Sequence, residues 1–470
     1  MSAAIDAPHR FHRHNPKGVS MPPFAERLTQ FIDDLSWDAV PSKIKDSAQN
    51  RLLDAVSTAI AARNVQTTRA LVAAGAGLSG GASGGCTVLP TGGTAPIGQA
   101  ALINGTAVHA ILFEDINLSS SDHPGPVIVP AALAAAEAAA VLTGREATIG
   151  DLLRAVLAGY EVHLWLGRIA AAGIKARKLR TTAIFGTVGA AAAACAALRT
   201  PSDDTRTSLV YGANFGFGFL EGFAHGTMEP YIQAGVAAQN GIVASLIGRG
   251  GAQGATTPFE GDAGYFQGFA DIAPDSDLAD WGDWGITGVT AKPYPISGGK
   301  IGSCDSALAA YQQGIDPGQI DRVVGYLQPG VKEFPGGDNP GPFTTMNEAQ
   351  DSTQFVIAAA LSGKPMGSLR TVMDEFADPV VADLAGRVQL VSEHGRGLIA
   401  KVEVHMRDGR VVVGEEDRRD QQWPTVQTMA AKLEDLTQGY WGPGRAGAVV
   451  DVVCGDTAVP VRELSRLLRD

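Results

Sequence analysis

The run TTAIFGTVGAAAAACAAL at 181–198 has no charged side chain and is apolar all round. A helix without a polar face cannot lie at a surface, so other elements must enclose it on every side. That requirement makes the chain a helical body built in shells around a central helix. The 470 residues leave room for such a body and fit two or three domains. Hydrophobic residues make up 45% and charged residues 18%, the balance of a folded, well-buried protein. Abundant alanine and 58 glycines let helices approach closely, whereas aromatics are only 6%. Helical periodicity recurs at 24–35, 41–62, 68–74, 99–113, 130–142, 148–169, 208–223 and 232–247.

After the glycine-rich passage at 248–268 the pattern changes. Strand-like runs appear at 321–327, 388–391 and 399–413, with helical patterns at 303–312 and 348–361 between them. AKVEVHM-RDG-RVVV reads as a β-hairpin whose turn is Asp408-Gly409. The helical period returns at 425–440 and 460–468. The expected fold is mainly α, a large all-helical domain with a smaller α/β domain. Its order is a disordered leader at 1–22, a first helical segment at 23–285, the α/β domain at 286–419, and a return at 420–470.

Several function classes are disfavoured. A net charge of −12 argues against nucleic acid and against an anionic membrane surface. Three threonines interrupt even the 181–198 run, so no uninterrupted apolar run of about 18 residues is evident and no membrane span is expected. The leader has no apolar core and reads as a solvated tail, with His9, His12 and His14 in it; a cytoplasmic protein is the expectation. Cys86, Cys195, Cys304 and Cys454 are far apart and form no metal or redox motif. HExxH, EF-hand, P-loop and GxSxG patterns are missing. The glycines of GFGFLEGF at 216–223 sit in a helical pattern with no preceding strand, which suits helix packing better than a dinucleotide loop.

The stretch NGTAVHAILFEDINLSSSDHPGPVIVP at 104–130 gathers His109, Glu114, Asp115 and His123 between two apolar helical runs. Such groups persist there only if solvated, paired or used, so the segment is either a site or a polar helix connection. The Pro124-Gly125 turn can aim the His123 ring at a cleft. Lys178, Arg180, Thr181 and Thr182 precede the central helix, where cations suit a bound carboxylate or form a solvated basic loop. His225 and Glu229 occupy a turn between helices. Lys292, Tyr294, Ser297 and Lys300 lie in AKPYPISGGK at a domain boundary, a common place for substrate contacts.

Taken in order, NGTAVHA, FED, HPG, GYEV, TTAIFGTVGAAAAA, HGTMEPYIQAGVAAQNG, FEGDAGYF and KPYPISGGKIGSCDSAL resemble the MmgE/PrpD family. The likeness runs from about residue 24 to the C-terminus and includes RDGR and MAAKLEDL. Methylcitrate dehydratase, cis-aconitate decarboxylase and iminodisuccinate epimerase belong to that family. The resemblance implies that the α/β domain is a lid, that a cleft divides it from the helical domain, that no metal or organic cofactor is needed, and that the chain is a homodimer. It also implies that His123 is the acid/base residue. Asp115 matches the second of two adjacent family aspartates, and Glu114 replaces the first. Leu112 stands at a family aspartate, Ile116 at a threonine, Arg180 at a histidine, Glu229 at a lysine, Phe355 at a tyrosine and Ile301 at a histidine.

The resulting expectation is a cofactor-free lyase, of dehydratase or decarboxylase type, acting on a small carboxylate by proton abstraction beside a carboxylate or carbonyl. His123, oriented by Asp115, is the expected base, with Glu229 as a second proton carrier. Glu114, Lys178, Arg180, Thr181, Lys292, Ser297 and Lys300 are the expected substrate-binding residues. An epimerase using the same proton abstraction, and a binding protein without turnover, remain open alternatives.

Overall fold

The computed structural model describes residues 22–78, 80, 84–273, 282–394, 399–415 and 424–469. Nearly all of the expected leader lies outside these residues.

Helix Thr181–Ala197 is buried along its whole length. Helices Ile149–Ala176, Glu229–Arg249, Gly125–Thr143 and Ser202–Asn214 enclose it. A capping box between Thr148 and Asp151 starts the longest of these, satisfying amides that the first turn leaves open. Gly125–Thr143 is long and apolar enough to cross a membrane, contrary to the sequence expectation, but 72% of its most apolar window is buried against neighbours. The single carboxylate that interrupts it, Glu137, accepts from the Thr87 amide and pairs with Arg469.

A second body carries a four-stranded sheet in the order Val388–Ser392, Ile320–Leu327, Lys401–Met406, Val411–Glu415. The first pair is parallel and the others antiparallel. The final hairpin turns through Gly409, whose φ of 89° needs a residue without a Cβ clash. Helices Ile301–Tyr311 and Thr353–Leu361 pack on this sheet. Two apolar clusters result. One draws on residues 24–289 and 429–468, the other on residues 294–406.

Three local expectations change. The 208–223 helix is instead Ser202–Asn214 and a short turn Glu221–Ala224, with a loop between. Gly218, at φ 123°, bends that loop over Arg180 and accepts its backbone N–H at 3.1 Å. A Cβ at 218 would stand 2.7 Å from the Arg180 side chain, so here glycine serves close approach and not helix packing. The 348–361 helix breaks at Ser352, whose extended backbone and side-chain cap on Phe355 start a new helix. A helix at Arg445–Cys454 was not anticipated.

Candidate active site

Two short strands, Asp115–Ile116 and Thr290–Ala291, pair antiparallel with Asp115 opposite Ala291. The next residues along, Glu114 and Lys292, therefore face each other, and Lys292 Nζ lies 3.2 Å from Glu114 Oε1. Both are buried. Two left-handed residues that are not glycine, Leu112 (φ 50°) and Ser121 (φ 58°), bend the chain on either side of this strand. Each costs about 1–2 kcal/mol, a strain that surrounding packing must hold.

Glu114 Oε1 is the hub. It lies 3.0 Å from His109 Nδ1 and 2.9 Å from His123 Nδ1, besides its contact with Lys292. Burial raises the Glu114 pKa, but Lys292 and the two imidazole hydrogen bonds outweigh it and hold the group well below the usual carboxylate range. Arg180 Nη2 lies 2.7 Å from His109 Nε2. A guanidinium only donates, so Nε2 accepts and Nδ1 carries the proton that is given to Glu114. Burial pushes His109 down to about 3. With both nitrogens committed, this ring cannot collect another proton without breaking a bond.

His123 has the complementary arrangement. Its Nδ1 lies 2.8 Å from the Asp115 backbone carbonyl as well as 2.9 Å from Glu114, so Nδ1 is the donor. The lone pair is left on Nε2, and no protein partner for Nε2 occurs among the described residues. Burial lowers the His123 pKa below 6.5, which keeps the ring neutral near pH 7. Its backbone N–H donates to Thr182 Oγ1 at 3.2 Å, and Thr181 Oγ1 donates to the Ser121 carbonyl at 2.9 Å. The two threonines thus hold the histidine loop.

Asp115 turns its carboxylate away from His123. Tyr160 donates to Oδ2 at 2.6 Å, Gly125 N donates to Oδ1 at 3.0 Å, and Arg51 lies 3.7 Å away. Strand alternation is the reason, because adjacent residues point to opposite faces and only one of Glu114 and Asp115 can face the imidazole. Glu114 therefore takes the orienting role expected of Asp115, which contributes its carbonyl. Burial raises the Asp115 pKa to about 6.

Arg180 is 4% exposed, its guanidinium 4.9 Å from the Phe223 ring centroid. Burial lowers its pKa to about 10, so it stays charged at neutral pH. Its Nε is buried with no hydrogen-bond partner. Lys300, from the sheet-bearing body, is also buried; it donates to the Val331 carbonyl at 3.3 Å and lies over Phe334. Burial lowers Lys300 to about 8. Beside it is Asp351, which the sequence reading missed because it gave no local signal. Asp351 is 1% exposed, accepts from Tyr231 Oη at 3.1 Å, and has burial raising its pKa to about 6. Gln350 Nε2 donates to the carbonyls of Ile111 (2.7 Å) and Pro295 (2.8 Å), stitching the bodies together.

Lys178 and Glu229 are not brought into this cluster. Lys178 is exposed in a left-handed turn, and Glu229 is exposed at a helix start, its pKa held down by Thr227. Ser297 is half-buried and donates its backbone N–H to Gln350. His109, Glu114 and His123 present ligand atoms within 4.8 Å of one another, close enough to share a cation. The two Nδ1 atoms are proton donors to Glu114, however, and the Lys292 ammonium already neutralises it, so the set suits holding protons better than holding a metal.

The sequence of the MmgE/PrpD N-terminal domain matches residues 26–276, more than half of the chain. The chain belongs to the MmgE/PrpD family. Among curated members, it is 26% identical over 241 residues to cis-aconitate decarboxylase-like protein oryM of Aspergillus oryzae, covering 51% of this chain and 49% of that one. It is 25% identical over 227 residues to cis-aconitate decarboxylase of Aspergillus terreus, covering 48% of this chain and 45% of that one. The chain thus spans about half the length of the curated relatives it matches. In this MmgE/PrpD chain, Leu112, Ile116, Ile301 and Phe355 are all buried and apolar.

Proposed function

We propose that the protein is a lyase that acts on a small carboxylate, with His123 as its proton-transfer residue. The observation that carries this reading is the clamp on His123 Nδ1 by Glu114 Oε1 and the Asp115 carbonyl, which leaves a neutral Nε2 as acceptor. His123 Nε2 takes a proton from the carbon beside the substrate's carboxylate or carbonyl. The C–H electron pair becomes the new double bond as a neighbouring hydroxide departs. The imidazolium returns its proton to that hydroxide, releasing water and restoring neutral His123. Arg180 holds the carboxylate, and Lys292 keeps the Glu114 hub ionised. The relatives named for cis-aconitate decarboxylation support a dehydratase- or decarboxylase-type reaction at family level.

The test is turnover of a panel of small carboxylic acids, read by mass loss and by proton NMR in heavy water. His123→Gln should lower turnover by about 100-fold, the scale of losing an acid/base group, with the fold retained. Full activity in that variant would remove His123 from the chemistry. Epimerisation is the second reading, favoured by Asp351 as a second buried group whose pKa, raised to about 6, suits proton exchange; it would leave substrate mass unchanged while exchanging the carbon-bound proton.

A further inference from the structure

The hydrogen-bonding capacity left over in the site describes its ligand. Three buried groups around Arg180 lack partners: Glu114 Oε2, Asp351 Oδ1 and Arg180 Nε. His109 joins Arg180 (2.7 Å) to Glu114 (3.0 Å), and Tyr231, whose ring centroid lies 5.7 Å from that of His109, donates to Asp351 at 3.1 Å, so the three form one neighbourhood. No ion pair joins Arg180 to either carboxylate among the described residues. A buried carboxylate oxygen without a donor is costly, as is an unpaired guanidinium N–H. Two acceptors and one donor edge thus await a molecule that supplies the reverse.

Charge narrows the choice. Lys292 pairs with Glu114, and Lys300, though in contact only with the Val331 carbonyl and the Phe334 ring among the described residues, balances the charge of Asp351, so among these five groups Arg180 carries the unbalanced positive charge. One carboxylate satisfies Arg180. A second or third would be acceptor-only groups placed against Glu114 and Asp351, both also acceptors when ionised. Leu112 and Ile116, close in sequence to Glu114, and Ile301, next to Lys300, are buried and apolar and offer further carboxylates nothing to bind.

We propose that the site takes a small hydroxy-monocarboxylate, its carboxylate on the free edge of Arg180 and its hydroxyl donating to Asp351 Oδ1. Tyr231, from the helical body, fixes Asp351 by donating to Oδ2 and so leaves Oδ1 as the acceptor for the ligand. Asp351 is then a specificity-determining residue, carried on the segment that Gln350 ties across the bodies. This rests on the reading of the site as one for a small carboxylate, and extends it to the rest of the molecule.

The experiment measures binding, so that it is independent of turnover. The full-length protein is titrated with β-hydroxybutyrate, butyrate, β-aminobutyrate, malate and cis-aconitate. β-Hydroxybutyrate should bind about tenfold or more tighter than butyrate, in line with a hydrogen bond to a charged group. Asp351→Asn, which keeps an acceptor oxygen but loses the charge, should cut that preference to below about threefold, and Arg180→Ala should weaken both acids together. Thermal melting of each variant without ligand separates lost recognition from lost fold. Equal binding of the hydroxy and plain acids, a preference above about threefold in Asp351→Asn, or tighter binding of malate, cis-aconitate or β-aminobutyrate would each overturn the assignment. If the preference holds but no acid turns over, the binding assignment stands and the lyase reading falls. Turnover of the hydroxy acid without any binding preference over the plain acid does the reverse.

Discussion

Arg180 Nη2 donates to His109 Nε2 across 2.7 Å, joining two residues that lie far apart in sequence. That bond fixes the tautomer of His109, commits both of its nitrogens, and divides the work between the two site histidines. His109 passes the influence of Arg180 to Glu114, and His123 alone keeps a lone pair. His109→Gln should therefore reduce turnover by only about tenfold, against about 100-fold for His123→Gln, because a positioning bond is lost and not the acid/base group. Comparing kcat for the two variants checks it. Equal losses would mean that His109 also carries protons.

The pH dependence follows from the same groups. His123 must be neutral to accept a proton, so kcat/KM rises with pH through its pKa, which lies below 6.5. Ionised Asp351, with a pKa of about 6, is needed over the same limb. Lys300 must stay protonated to oppose Asp351, and activity should fall as pH rises through about 8. A bell with its acid side below 6.5 and its alkaline side near 8 is the expected profile. A profile still rising at pH 9 would show that Lys300 is not required in its charged form.

Gly125→Ala should be destabilising. A Cβ there would stand 2.5 Å from Asp115 Oδ1, where the Gly125 amide now donates. Forcing the carboxylate aside costs about 1–3 kcal/mol in a packed interior. Urea denaturation measures the loss, and a variant as stable as the parent would show that the Asp115 anchor has slack.

Lys432→Met should cost about 3 kcal/mol, because it strips the counter-charge from buried Asp54. The same ammonium donates to the Phe113 carbonyl at 2.5 Å, next to Glu114, so activity should fall as well. Combining it with Asp54→Asn should recover part of the stability while leaving the activity loss. If the double variant were less stable than Lys432→Met, the pairing with Asp54 would not explain the effect.

Much of the helical body could be read from the chain, since 181–198 had to be enclosed and the amphipathic segments around it had one apolar face to bury. The sheet hairpin was equally legible, because alternating apolar residues flank Asp408-Gly409. What local pattern could not supply was direction. His109, Glu114 and His123 drew attention as polar residues in apolar surroundings, yet only the pairing of 115–116 with 290–291 decides which carboxylate faces the ring. Lys178 looked like a neighbour of the site because it is close in sequence to Arg180, and Glu229 because it occupies a turn between helices at a family lysine position. Their side chains leave on the exposed side. Asp351 and Tyr231 gave no local signal, because a contact between residues 120 apart in sequence exists only after the bodies meet.

Lys432 and its neighbours also bear on how the protein is made. The apolar cluster fed by residues 24–289 is completed by residues 429–468, so a ribosome must deliver the whole intervening sheet-bearing body before that core can close. At roughly 5–20 residues per second, the helices that later receive the final segment wait on the order of ten to forty seconds with an apolar face uncovered. A nascent chain stalled in this interval is a natural client for a holding chaperone, and slowing synthesis there should increase aggregation more than slowing it earlier.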